Sequence, residues 1–365
     1  MSRYLSLRDI DWPLMVIVLL LCGVGVLQIY SATMDTGYHS AWWKQILYVA
    51  CGLFLMWLAL ALDYHTILHY VPIMYIASVV ALLGTALVGA TVFGSKRWIP
   101  LPGTGGVHLQ VSEFVKLVII LLVARYLTDL KRDELEIREM LILSGLVAVP
   151  VVLVLAQPDL GTSLTYLAVL VTGAFLAGLR WKYVAAIAVV AVLVLPVGWH
   201  FLKDYQKARL VSFMDPERDP QGSGYQLIQS EIAVGAGGMF GKGPTRGTQT
   251  QLRFLPVPHT DFIFSSFAEE HGFVGVMVVL SLYFVMIMRI VQNAQTAPDR
   301  AGMYICMGVG GLLLFHMLVN VGMVVGRMPV TGIPLPFMSA GGSNIWSNFL
   351  ALGLVNNVRL RRFIN

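Results

Sequence analysis

Three acidic residues follow the point where a long polar stretch of the sequence gives way to an apolar one. Asp261 comes after a His-Thr pair, and Glu269 and Glu270 follow about two and a half helical turns later, in a run rich in Phe and Val. A carboxylate at or below a membrane surface costs free energy unless a partner or a water-lined cavity receives it, so such residues are functional candidates. A recessed carboxylate can act as a general base on a hydroxyl group. We therefore predict that Asp261 is a proton acceptor.

A second role competes for Asp261, because an aspartate near a helix start can also cap the free backbone N–H groups. A cap works equally well in water, whereas Asp261 stands beside His259 and next to loops that are rich in glycine and proline. This placement favours catalysis over capping. Glu269 and Glu270 are adjacent and cannot share one face of a helix, so we expect at most one of them to point into a cavity.

Other charged residues fall within apolar segments or at their start. Glu113 and Lys116 are three residues apart, on one face of a helix, where they either neutralise each other or contact a substrate. Asp159 stands at the head of an apolar segment, where it is either a helix cap or a functional carboxylate. His316 and Asn320 are expected to hydrogen-bond between helices rather than bind a metal ion. The sequence leaves the alternatives for Glu113, Lys116 and Asp159 open.

The composition indicates what kind of element must hold these residues. Hydrophobic residues make up 57% of the 365 positions and charged residues 12%, which is half the usual charged share of roughly 25%. A soluble core of this length cannot hide so much apolar surface. The chain is therefore predicted to be an all-α polytopic membrane protein with a single membrane domain over 1–365.

Ten segments approach the roughly 20 apolar residues that a membrane helix needs. They lie near residues 13–31, 43–62, 69–92, 112–127, 140–156, 160–179, 183–199, 264–288, 303–325 and 342–357. If the N-terminus is cytoplasmic, thirteen Lys and Arg residues fall in the inner segments and four in the short outer ones. This asymmetry predicts that both termini are cytoplasmic and that a long loop, 200–262, between helices seven and eight faces outward.

The long loop has features of its own. Apolar residues recur at helical spacing over 225–232, with Ser230 among the polar residues on the other side, which predicts a short amphipathic helix on the outer leaflet. The glycine-rich stretch 235–247 does not match a nucleotide-binding P-loop, because Lys242 is followed by glycine rather than Ser or Thr. A later segment, 326–344, is rich in Pro and Gly, and is either a second wall of an outer cavity or an ordinary surface loop.

Seven motifs, in order along the chain, resemble the SEDS (shape, elongation, division, sporulation) family. They are GSKRWI, VSEFVKL, AQPDLGTS, GSGYQLIQS, GKGPTRGTQTQLRFLP, HTDFIFSSFAEEHGF and NVGMVVGRMPVTGIPLPFMSAGGSN. The GTQTQLRFLP wording resembles the elongation branch of that family more than the division and sporulation branches. Two positions differ from the family pattern: Val257 stands where relatives usually have Glu, and Val111 stands where they often have Pro.

The resemblance implies a peptidoglycan glycosyltransferase that polymerises lipid II at the outer face of the bacterial inner membrane. It implies a complex with a class B penicillin-binding protein, whose transpeptidase cross-links the new strands. It also implies that Asp261 is the essential aspartate of the family. The positions that it places in a polar cavity are Glu113, Lys116, Asp159, Arg97 and Trp98.

The chemistry of that reaction suggests further roles. A lipid-linked glycan strand presents its anomeric carbon with a diphosphate leaving group, and the acceptor is the 4-hydroxyl of a lipid II sugar. Direct displacement inverts the anomeric centre and needs one base, for which Asp261 is the candidate. The diphosphate needs positive charge, either from Lys116, Arg209 and Lys242 or from a divalent cation, Mg²⁺ or Mn²⁺, held by the phosphates and a carboxylate. No organic cofactor is expected.

Two other classes of function use the same features. A lipid flippase would use the polar cavity for passage rather than chemistry, and a scaffold for the partner would not need Asp261. The elaborate loop on one side favours chemistry over transport. The net charge of +5 fits topology signals and an anionic lipid substrate better than nucleic acid, because the basic residues are scattered between apolar segments.

Overall fold

The computed structural model describes residues 9–92, 95–100, 108–130, 135–180, 182–183, 185, 200, 204–222 and 224–362. Its helices are α1 (Trp12–Thr33), α2 (Ala41–Ala61), α3 (Tyr64–His69), α4 (Val71–Val88), α5 (Val111–Asp129), α6 (Ile137–Ala156), α7 (Leu160–Leu176), α8 (Asp204–Met214), α9 (Tyr225–Ala236), α10 (Thr248–Gln251), α11 (Ile263–Gln295), α12 (Arg300–Val324) and α13 (Gly342–Arg361). Nine of the ten predicted membrane segments coincide with one of these helices. The remaining segment, 183–199, lies almost wholly outside the described residues.

Five of the described helices, α1, α2, α6, α11 and α12, are long and apolar enough to cross a membrane. Helix α13 is less apolar because its neighbours are protein: it packs against α2, α5 and α12, and Asn348, Asn356 and Asn357 along it are fully buried. Buried polar side chains of this kind hydrogen-bond across helices instead of facing lipid. The chain is thus a multi-pass helical membrane protein.

A small antiparallel sheet, which the sequence did not predict, precedes α5. Its strands are β1 (Ala90–Val92), β2 (Ser95–Pro100) and β3 (His108–Gln110), with β2 in the centre. Trp98 lies opposite Gln110 in the register of β2 and β3. Because β3 runs directly into α5, the sheet places Arg97 and Trp98 beside the start of that helix.

The loop before α11 contains α8, a short 3₁₀ helix (Pro216–Arg218), α9 and α10. A helix is therefore confirmed over the predicted amphipathic stretch, as α9, while its place on the outer leaflet stays a prediction and one residue of its polar face was misassigned. Ser230 is fully buried, where its hydroxyl lies 2.7 Å from the Ser265 hydroxyl and donates to the Val324 carbonyl at 2.8 Å. Burying a hydroxyl costs little when both partners are present, so the helix packs on α11 and α12 through this face.

Helix α11 is broken at Gly272, whose φ is +66°. The glycine-rich stretch packs against this break: the Lys242 and Gly243 amides donate to the Glu269 and Glu270 carbonyls, at 3.1 and 3.0 Å. A Cβ atom on Gly241 would lie 2.1 Å from the Glu270 carbonyl oxygen. The glycines thus allow backbone to approach backbone, a use of glycine that needs no bound ligand.

The proline-rich segment between α12 and α13 is not an ordinary surface loop. Leu335, Phe337, Met338 and Ser339 are fully buried, and the Tyr283 hydroxyl of α11 donates to the Pro336 carbonyl. Irregular backbone is tolerated at membrane depth when protein surrounds it. The buried part of the segment therefore packs inside the bundle, and its role as a wall of an outer cavity stays a prediction.

Helices α5, α7, α11 and α13 all begin at one end of the bundle, which we call the Asp261 end. Side-chain hydrogen bonds join these starts: the Gln110 amide N–H donates to Ser343, and the Gln110 side chain donates to Asp159. The start of α1 and the end of α13 meet at the opposite end, where Arg289 and Arg359 contact Asp11. The two ends lie roughly 40 Å apart along α11, at 1.5 Å per residue.

Candidate active site

Asp261 lies in the turn that leads into α11 and is partly exposed; we call its surroundings, between this turn and Gly332, the recess. The N-cap residue of α11 is Phe262, and no side chain caps that helix start. The capping alternative for Asp261 is therefore wrong. Its Oδ2 atom faces Gly332 in the proline-rich segment, where an added Cβ would lie only 3.3 Å away.

The carboxylate of Asp261 has no hydrogen-bond donor among the described residues. Within the described part of the chain, no side chain or backbone N–H lies within hydrogen-bond distance of it, although its backbone carbonyl is bonded. Burial raises the pKa of Asp261 above its ordinary value, and the neighbouring charge of Asp159 raises it further, while Arg97 and Arg209 act in the opposite direction. A carboxylate in this setting is a stronger proton acceptor than one saturated with donors.

Asp159 caps a helix, as one of its two alternatives predicts, while its functional role stays a prediction. Its Oδ1 accepts from the Thr162 amide at 3.1 Å and caps α7, while its Oδ2 accepts from Gln110 at 2.9 Å. The same Oδ2 forms an ion pair with Arg97 Nη1 at 2.8 Å. The Nε atom of Arg97 is buried without a hydrogen-bond partner among the described residues. Asp159 therefore holds the Arg97 guanidinium near Asp261, and the Nε–H group of Arg97 is left without an acceptor among the described residues.

Glu113 and Lys116 form a buried ion pair, 2.7 Å apart, with Lys116 fully excluded from solvent. The Ser347 hydroxyl of α13 also donates to Glu113, at 3.3 Å. Both charges are thus compensated within the protein, as the ion-pair alternative predicts. A direct contact between either residue and a substrate stays a prediction.

Glu269 and Glu270 are both buried, and they point to different neighbours as their adjacency requires. Glu269 accepts from Lys242 at 2.8 Å and from the Gln249 amide at 2.8 Å, which ties the outer loop to α11. Glu270 accepts from the Ser31 hydroxyl at 2.5 Å, which ties α1 to α11. The Lys242 ammonium group is therefore held by Glu269, and its predicted contact with a diphosphate remains a prediction.

Arg209 of α8 is the second cation that acts on Asp261. It lines a pocket of about 250 Å³ between α8, α9 and the proline-rich segment, close to the lower limit of roughly 300 Å³ for ligand pockets. The other residues of the lining are Ala208, Ser212, Phe213, Gly222, Gln226, Leu227 and Val330. Asp261 is not part of this lining, and Arg209 is the residue that relates the pocket to it.

Three of the predicted residues thus meet around Asp261: Arg97, Asp159 and Arg209. Trp98 lies next to Arg97 on β2 with its ring against His108, at 6.4 Å between ring centroids. Gly332 was not predicted here, because a glycine in a loop carries no chemical signal of its own. Asn320 was expected to hydrogen-bond between helices, but its amide instead donates to the Asp261 and Ile333 carbonyls outside the helices. In the part of the chain that the structure describes, no three His, Cys, Asp or Glu side chains are placed to hold a metal ion.

The sequence matches the FtsW/RodA/SpoVE family, described as cell cycle protein, over residues 12–362. It is 37% identical to the peptidoglycan glycosyltransferase MrdB of Escherichia coli K12, over 97% of this chain and 94% of that protein.

Solved structures are similar over the whole chain. One is a chain of a peptidoglycan synthase complex that coordinates polymerization and crosslinking, with a TM-score of 0.83 and 32% identity over 98% of this chain and 99% of that one. Another is the rod shape determining protein RodA of Thermus thermophilus, with a TM-score of 0.72 and 28% identity over 97% of this chain and 98% of that one.

Proposed function

The chain belongs to the FtsW/RodA/SpoVE family and is a peptidoglycan glycosyltransferase, and we propose that it polymerises lipid II into β-1,4 glycan strands during cell elongation, with Asp261 as the general base. The observation that carries this proposal is the Asp261 carboxylate, which is recessed and unpaired within the described residues. A base must lie within hydrogen-bond reach of the proton that it removes. Donors from the protein would occupy the oxygens that the acceptor hydroxyl needs.

The reaction follows from this arrangement. Asp261 takes the proton of the acceptor 4-hydroxyl as its oxygen attacks the anomeric carbon of the lipid-linked glycan strand. The bond to the diphosphate breaks with its electron pair, so the α-linked donor gives a β-linked product. General base catalysis of this kind contributes about 10²–10⁴-fold to the rate.

Arg97 and Arg209 are the side chains that we assign to the departing diphosphate. Both act on Asp261 through their charge, and Arg97 has an Nε atom without a protein partner in the described part of the chain. Guanidinium groups donate pairs of hydrogen bonds to phosphate oxygens. Helices α5, α7 and α13 begin at this end, and helix starts favour anions. A divalent cation, if the reaction needs one, would take most of its ligands from the phosphates.

The proposed setting is the bacterial inner membrane, crossed ten times, with both termini in the cytoplasm and the Asp261 end outside. The excess of Lys and Arg in the inner segments supports this orientation. The similar chain in a peptidoglycan synthase complex supports a partner of the class B penicillin-binding type. The partner would cross-link the strands that this chain makes.

The test uses purified protein, alone and with its partner, and lipid II carrying a fluorescent label. We expect glycan chains on a gel from the wild type and only a small residual amount from Asp261→Asn at equal amounts of folded protein. Exchange of labelled lipid between vesicle leaflets is measured in parallel. Leaflet exchange without glycan chains would overturn the proposal in favour of a flippase, and chains of wild-type yield from Asp261→Asn would overturn the assignment of the base.

A further inference from the structure

The turn that carries Asp261 is held by three successive backbone carbonyls. The His259 carbonyl accepts from the Ala340 amide at 2.9 Å, and the Thr260 carbonyl accepts from the Ser339 hydroxyl at 2.7 Å. The Asp261 carbonyl accepts from the Asn320 side chain at 2.9 Å. Two of these donors come from the proline-rich segment, and the third comes from α12.

Asn320 joins this turn to the opposite wall of the recess. Its second N–H donates to the Ile333 carbonyl at 2.8 Å, one residue after the Gly332 that faces the Asp261 carboxylate. Both neighbours are carbonyl oxygens, which only accept, so the amide must present its NH₂ group to them. The side chain is fully buried, which limits its freedom to leave this position.

We propose that Asn320 is a positioning residue for catalysis: its amide fixes the distance between the Asp261 backbone and the Ile333 backbone, and so directs the carboxylate into the recess. The inference rests on the proposed role of Asp261 as the base. Asn320 does not touch the reacting atoms, and it acts through the two carbonyls that it bridges. Without its amide, the hydrogen bond to the Asp261 carbonyl and the hydrogen bond to the Ile333 carbonyl are lost together.

A matched control lies at the other end of the bundle. Asn357 of α13 also donates from its amide to two backbone carbonyls, those of Ala59 and Leu62, and it is fully buried too. Asn320→Leu and Asn357→Leu therefore both remove a buried NH₂ group that bridges two backbone carbonyls. Asn357→Leu also removes an acceptor of the Tyr64 amide and of Arg361, whereas the Asn320 oxygen has no partner among the described residues. Any general effect of losing a buried amide appears in both variants.

The experiment measures the melting temperature, kcat, KM for lipid II and the pH dependence of kcat for both variants. We expect both proteins to be less stable. Asn320→Leu should lower kcat about 10- to 100-fold with little change in KM, because a displacement of about 1 Å can cost 10²-fold. The pH below which kcat of this variant falls, the acid limb of its pH profile, should move to a lower value, because greater hydration of Asp261 lowers its pKa. Asn357→Leu should keep the wild-type kcat per folded molecule and the wild-type pH profile.

The inference is overturned if Asn320→Leu keeps the wild-type kcat and pH profile, or if the two variants lose kcat equally. Asp261→Asn, assayed alongside, separates this failure from that of the proposed function. An inactive Asp261→Asn with a fully active Asn320→Leu contradicts only the positioning role, whereas a fully active Asp261→Asn contradicts the base. Should Asn320→Leu not fold, Asn320→Thr keeps one donor and is expected to lose kcat to a smaller extent in the same direction.

Discussion

Two aspartates stand at opposite ends of α11 and use the same side chain in opposite ways. Asp11, fully buried, is surrounded by donors: Arg289 at 2.7 Å, Arg359 at 3.2 Å and the Asn293 amide at 2.8 Å. Asp261 has none among the described residues. Burial favours the protonated form of both carboxylates, but it determines the direction of the pKa shift only at Asp261, where hydrogen-bond donors are missing among the described residues.

The pKa values follow this difference. Burial would raise the pKa of Asp11, but hydrogen bonds from Arg289, Asn293 and the Leu14 backbone, together with the charge of Arg359, hold it below its ordinary value. Burial raises the pKa of Asp261, and the charges of Arg97 and Arg209 only partly oppose this rise. A carboxylate whose oxygens all accept hydrogen bonds from the protein joins helices. A carboxylate without such donors can accept a proton from a substrate. The comparison therefore predicts that losing Asp11 affects stability and losing Asp261 affects chemistry.

The largest expected effect is that of Asp261→Asn. We expect the polymerisation rate to fall about 10²–10⁴-fold, because the base is lost. The melting temperature should stay equal or rise, because an amide is buried more cheaply than an unpaired carboxylate. Glycan synthesis from lipid II and thermal unfolding in the same detergent measure the two quantities. A drop in both would mean that Asp261 is structural like Asp11.

The reciprocal change, Asp11→Asn, is expected to lower the stability by about 1–3 kcal/mol, because Arg289 and Arg359 lose their charged acceptor. The polymerisation rate per folded molecule should remain that of the wild type. Thermal unfolding and a rate corrected for the folded fraction measure the effect. A lower rate at unchanged stability would contradict the purely structural role of Asp11, and with it the difference between the two aspartates.

A smaller effect is expected for Arg97→Gln. The change removes a charge from the recess and the ion pair to Asp159, so kcat/KM for lipid II should fall about 10-fold or more, in line with the roughly 1.5–3 kcal/mol of a charged hydrogen bond. Arg327→Gln is the control, since Arg327 is an exposed residue that follows α12. Equal losses in both variants would indicate a general charge effect rather than a diphosphate contact.

The smallest expected effect concerns Val257, in the loop before Asp261. Its φ is +46°, a left-handed conformation that strains a β-branched residue. Val257→Asn should raise the stability by about 0.5–1 kcal/mol, because Asn tolerates this conformation. Thermal unfolding measures the change, with unchanged activity as the expected companion. No gain in stability would show that the strain is released elsewhere.

The sequence predicted the helices of the described chain well, because long apolar runs leave little freedom. It singled out Asp261 as a candidate base, which stays a prediction. It could not exclude capping, because the fold decides that α11 has Phe262 and not Asp261 as its N-cap. It assigned Lys242 to a phosphate without its partner Glu269, because the contact bridges a loop and a broken helix. Asp11 was missed for the same reason: its partners lie more than 270 positions away.

The small sheet and the position of Gly332 are two more features that the sequence did not predict. Strands of three to six residues carry too little periodicity to be distinguished from loops. Gly332 matters through the side chain that it lacks, which only the position of the Asp261 carboxylate reveals. The order of the seven motifs along the chain predicted the family correctly, because such a match depends on many residues at once.

The pH dependence of kcat for lipid II polymerisation tests the role of Asp261 most directly. The base must be ionised, and burial raises its pKa above the ordinary 3.8, so the rate should fall as the pH drops through a value above 3.8. In Asp261→Asn, the small residual rate should lack this acid limb. An Asp261→Asn rate that keeps the wild-type acid limb would show that another group is the base and would contradict the account.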